Sequence, residues 1–176
     1  YVVFAARVLG PDRYAVFSTA VSLVMMCQLA LGPINETITR FSAAYASEGQ
    51  PGKIKTLVVE IGTRVALFGL LLLGLAAPLR EPIATFLRVD EFGPLFLAYA
   101  MLYLTMLVGL GRGVLRGVQR FGAYNINTLA ESGSRLLVGL VLLSWIVTVS
   151  AGLMAYVVAL AVTLLVSVVQ LRSVWS

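Results

Sequence analysis

Three acid–arginine pairs stand four residues apart in stretches that are otherwise apolar: Glu36 with Arg40, Glu60 with Arg64, and Glu131 with Arg135. On a helix that spacing puts both charges on one face, acid first, which is the favourable order. Asn127 lies one turn before Glu131, so Asn127, Glu131 and Arg135 form a polar stripe. Gln28, Gly32, Glu36 and Arg40 form a second ladder at the same spacing. Arg112, Arg116 and Arg120 also recur every four residues, about 100° round their helix from Thr105, Gly109, Gly113 and Gly117. The chemistry open to such groups is recognition of an anion, because a guanidinium presents a planar fork of donors that matches phosphate or carboxylate oxygens. Bond-breaking chemistry has few candidates. The chain has no histidine and a single cysteine, Cys27. Histidine zinc sites, Ser-His-Asp hydrolysis, histidine proton relays and internal disulfides are therefore excluded from this stretch, and no cofactor or metal is expected.

Each polar set also has a plainer structural reading. Glu60–Arg64 can be local neutralisation near a membrane interface. The two ladders can hold helices together without meeting any ligand. The arginine stripe can anchor a helix end among anionic headgroups, or it can be a cationic rail for a phosphate. The four-residue run of Thr105 and the glycines is a small-residue face that lets another helix approach closely.

The elements that carry these residues follow from composition. Of 176 residues, 60% are hydrophobic and 12% charged, and the mean hydropathy is +0.95. A soluble domain would carry about twice that charge. Several apolar runs approach or exceed the roughly 20 residues that cross a bilayer core. Backbone groups in hydrocarbon must be bonded within their own segment, and the runs are continuous rather than alternating, so helices are expected and a β-barrel is not. The net charge of +5 lies at the ends of apolar runs, as topology signals do, and does not point to nucleic acid.

Tyr1 to Leu9 reads as the end of a span already in progress, closed by a Gly10-Pro11-Asp12 turn. A second helix runs from about Tyr14 to Leu31, kinks at Gly32-Pro33, and continues as an amphipathic segment to Ser47. A polar loop, Gly49 to Lys55, leads to a third helix, Thr56 to Leu79. Ile83 to Gly93 suits a short interfacial piece. Pro94 opens a fourth helix that continues to Arg120 and breaks at Gly122. Tyr124 to Val149 and Leu153 to Leu171 form the fifth and sixth. Trp145 and Trp175 fall near span ends, as interfacial anchors do. The expected architecture is all-α, a polytopic bundle of about six spans in one transmembrane domain over residues 1–176. Arg40, Lys53, Lys55, Arg112, Arg116, Arg120 and Arg172 lie on one side of this topology, and Arg13, Arg80 and Arg88 on the other. The positive-inside rule makes the first side cytoplasmic.

Ala6-Arg7-Val8-Leu9-Gly10-Pro11, with Tyr14 and Phe17 after it, resembles the opening of polysaccharide flippases of the multidrug/oligosaccharidyl-lipid/polysaccharide exporter superfamily. The resemblance continues through Gly32 and Thr39-Arg40-Phe41 with Ala44-Tyr45. It returns at Arg112-Gly113-Val114-Leu115-Arg116-Gly117-Val118-Gln119-Arg120-Phe121 and Asn125-Ile126-Asn127. It implies two pseudosymmetric bundles around a central cavity, of which this chain is most of the first, lacking the start of its first helix and the whole second bundle. It also implies alternating access in the cytoplasmic membrane. The cargo would be a polyprenyl-diphosphate-linked glycan, with membrane lipids as surroundings and a proton or sodium ion as coupling partner. By that analogy Arg40, Arg64, Arg112, Arg116 and Arg135 face the phosphates, Glu36 and Glu131 orient them or couple to an ion, and Asn127 completes the cavity set. An ion-coupled exporter of small cationic compounds should instead carry more acids than arginines. A scaffold subunit that transports nothing should need no cavity at all. No enzyme is expected.

Overall fold

The computed structural model describes residues 1–76 and 92–175. Five helices occupy them: α1 (Val2–Ser47), α2 (Pro51–Ala76), α3 (Phe92–Gly117), α4 (Phe121–Trp145) and α5 (Val149–Trp175). The close of the expected third helix, Arg80 and Arg88, and nearly all of the expected interfacial piece lie outside the described residues.

The first helix is two arms. Gly10 has φ 74 and ψ 171, a conformation that residues bearing a Cβ avoid. The ring of Tyr1 lies 6.2 Å from that of Phe17, whereas a continuous helix would hold them about 24 Å apart. The chain therefore reverses at Gly10, and residues 2–9 fold back on the arm that Pro11 opens, as the Gly-Pro-Asp sequence predicts. The long arm bends by 45° between Leu29 and Gly32, where Pro33 removes a backbone donor from the helical ladder. Gly93–Gly117, Phe121–Trp145 and Val149–Ser173 are each long and apolar enough to cross a membrane, and the bent pair in α1 adds a fourth candidate among the described residues. This is a helical membrane protein. Leu129, Leu137, Val141 and Trp145 project outward from α4, where lipid is their natural solvent.

Two apolar clusters hold the bundle. Toward one end, Phe17, Val24, Met101, Leu143, Leu153 and Tyr156 pack together. Toward the other, Ile38, Ile54, Val114, Leu115 and Leu171 do so. Arg120 Nη1 donates to Ser173 Oγ (2.7 Å) at the second end, and Arg13 Nη1 to the Val147 carbonyl (2.7 Å) at the first. The larger basic set thus shares one end of the molecule with the α1–α2 and α3–α4 connections, opposite Arg13.

The small-residue stripe of α3 does what its spacing predicts. Gly109 faces the Asn35 side chain, Gly113 faces Ile38 and the Asn35 carbonyl, and Gly117 faces the Thr39 carbonyl and Ser42. With no side chains between them, α3 lies directly on the bent half of α1. The next break falls at a different residue from the one expected. Gly122 sits inside α4, and the chain turns at Gln119, which has φ 58. The Arg120 amide reaches the Leu115 carbonyl (2.9 Å) and the Gln119 amide the Arg116 carbonyl (3.1 Å), the two bonds of a Schellman close. The same pair of bonds ends α1 at Gly49. Satisfying the last carbonyls of α3 there outweighs the usual preference for glycine at the left-handed position.

Candidate anion site

The stripe beside the glycines turns toward α4. Arg112 Nε donates to Asn127 Oδ1 (2.8 Å), and its Nη2 donates to Glu131 Oε2 (2.7 Å). Glu131 presents its other oxygen to Arg135 Nη1 at 3.6 Å, and the Arg135 guanidinium lies 4.8 Å over the ring of Tyr156. Asn127 is fully buried. Its amide donates to Ser167 Oγ (2.6 Å) and to the Thr163 carbonyl (3.2 Å), both on α5. Hydrogen-bonded side chains thus run without interruption from α3 through α4 to α5. The Arg112–Glu131 pair is about one-fifth exposed on each side, so its charges are screened less than those of a surface pair.

Above this network lies a cavity of about 210 Å³ between α1, α3, α4 and α5. Arg112, Arg116, Glu131, Gln28, Asn35 and Thr105 give it polar walls, and Tyr124, Val108 and Leu160 give it apolar ones. Arg116 Nε is buried and makes no hydrogen bond among the described residues. Its guanidinium carbon lies 5.8 Å from the Tyr124 ring. Two guanidinium groups therefore share the wall with one carboxylate, and Arg135 adds a third cation immediately behind it. Pockets for drug-sized ligands run to about 300–1,000 Å³. A space of this size, open to its surroundings, suits a compact charged headgroup.

The expected site residues divide between this cavity and the outer surface. Arg112, Arg116 and Glu131 stand on the wall, with Asn127 and Arg135 directly supporting them. Glu36 and Arg40 are exposed on α1 and do not line the cavity. Arg64 pairs with Glu60 (2.6 Å) on an exposed face of α2, with side chains 76% and 57% accessible. That is the local-neutralisation reading of the pair. Helical arithmetic explains the division. Each four-residue step overshoots a full turn by about 40°, so Glu36 has drifted about 80° from Gln28, whereas Asn35, two turns on, is only about 20° away. Asn35 faces inward accordingly, and the ladder read at four-residue spacing selects its neighbour. The same drift carries Arg135 off the cavity wall and onto Tyr156. Thr163 and Ser167, one turn apart in the apolar α5, are the sequence signal for the helix that holds Asn127.

Asn127→Leu is expected to leave Arg112 Nε and Ser167 without their partner. The loss should be about 1–3 kcal/mol of stability, checked as a lowered thermal midpoint in detergent.

A family model described as polysaccharide biosynthesis protein matches residues 1–176. No curated protein and no solved structure matches the chain.

Proposed function

The chain belongs to the polysaccharide biosynthesis protein family, and from that premise we propose that it forms the cationic bundle of a flippase for lipid-linked oligosaccharide or polysaccharide precursors. In this reading it is one of two bundles, sits in the cytoplasmic membrane with its basic end inside, and works by alternating access. The observation that carries it is the charge balance of the cavity among the described residues: Arg112 and Arg116 on the wall and Arg135 behind, against the carboxylate of Glu131. Such an excess of guanidinium in a site partly withdrawn from water is unstable without an anion, and a phosphate-linked headgroup supplies one. Gln28, Asn35 and Thr105 add amide and hydroxyl groups of the kind that bind sugar hydroxyls. An exporter of small cations would need the opposite balance. The role is transport, with a proton or sodium ion as the coupling partner.

The test is export in cells lacking their own glycan flippase, with the chain expressed in its full reading frame. Restored surface glycan is expected. Correct membrane insertion with no surface glycan would overturn the proposal.

A further inference from the structure

We propose that Glu131 sets the selectivity of the cavity: its carboxylate is a built-in competitor for Arg112, and only a polyanion that also engages Arg116 displaces it. This rests on the reading of the cavity as a site for an anionic cargo. The Glu131 carboxylate already occupies the position a ligand oxygen would take, 2.7 Å from Arg112 Nη2. Because it is tethered, it holds Arg112 at an effective concentration of millimolar order or higher. A monoanion must overcome that occupancy with a single charge. Arg116 stands one turn along the same wall, with its Nε buried and unbonded among the described residues. A ligand carrying two anionic groups binds Arg116 with one and meets Arg112 with the other.

The exchange strands no charge. Glu131 Oε1 lies 3.6 Å from Arg135 Nη1, so a carboxylate released by Arg112 turns to a partner already beside it. Arg112 does not follow, because Asn127 retains its Nε, and α5 holds Asn127. Arg112, Arg116 and Arg135 exceed Glu131 by two positive charges, and a ligand with about two negative charges balances them. The site therefore selects on charge number, and it prefers a diphosphate group to a monoanion of similar size.

Titration calorimetry of the full-length protein in detergent tests this with inorganic pyrophosphate, inorganic phosphate and acetate, at a pH below the second ionisation of phosphate, where pyrophosphate is mainly a dianion and the other two are monoanions. The wild type is expected to bind pyrophosphate and to discriminate against the other two. Glu131→Gln removes the competitor, so affinity for phosphate and acetate should rise at least tenfold and the preference for pyrophosphate should shrink. Arg135→Gln removes the carboxylate's second partner and should weaken all three, which provides a readout of opposite sign where Glu131→Gln does not fold. Unchanged or weaker binding by Glu131→Gln, with pyrophosphate still bound by the wild type, would overturn the role of Glu131 and leave the anion site standing. No pyrophosphate binding by either protein would overturn the anion site itself.

Discussion

Arg112→Ala should reduce glycan export at least a hundredfold while the protein still inserts. Arg112 both lines the cavity and ties α3 to α4, through Asn127 and Glu131. Truncation removes one of the two cations on the wall. It also leaves a carboxylate only 18% exposed with Arg135 at 3.6 Å as its remaining cationic partner. A hundredfold change corresponds to about 2.7 kcal/mol, within the 2–5 kcal/mol typical of truncating one member of a hydrogen-bonded charge pair in a binding site. Arg112→Lys keeps the charge but has no fork to serve Asn127 and Glu131 together, so it should recover only part of the activity. The measurement is surface glycan normalised to inserted protein, and full export by Arg112→Ala would remove it from the site.

Gly117→Leu should be the most damaging substitution outside the cavity. A Cβ at Gly117 would stand 2.5 Å from the Thr39 carbonyl oxygen and 2.6 Å from Ser42 Cβ. Backbone cannot rotate away as a side chain can, so α1 must separate from α3. Overpacking of this kind costs about 1–3 kcal/mol or more. The expected result is a clear fall in the thermal midpoint, and Gly122→Leu is the control, since a Cβ there meets nothing within 4 Å. Equal midpoints for the two variants would mean that the α1–α3 contact is not a determinant of stability.

The sequence is unevenly legible, and the unevenness has a physical cause. Features fixed by local chemistry read correctly: the apolar spans, the reversal at Gly10, the bend at Pro33, and the glycine stripe that receives α1. The break assigned to Gly122 fell at Gln119 instead, because hydrogen bonding closed the helix before the glycine was reached. At the candidate site, Arg112, Arg116, Asn127 and Glu131 lie on helices with no internal break, so their spacing sets their facing. Glu36 and Arg40 follow a bend, and a four-residue ladder accumulates rotation that a string of letters does not display. Asn35, just past the bend, is hidden by the same rotation, and Ser167 stands in an apolar helix with no pattern to mark it. Their importance lies in what other helices bring to them.

The complete burial of Asn127 constrains how such a bundle can move. Its amide is bonded into α5 at Ser167 and Thr163, and Gln170 returns a bond from α5 to the Ala123 carbonyl (3.0 Å). Sliding α4 along α5 by even one residue would break these bonds and leave the fully buried Asn127 amide unsatisfied, at a cost of about 1–3 kcal/mol. The two helices must therefore turn as a single blade. In the proposed alternating-access reading, the α4–α5 blade has to part from α3 along a boundary that Arg112 bridges to α4 and that Gly111 shares with Ser167 and Leu171 of α5.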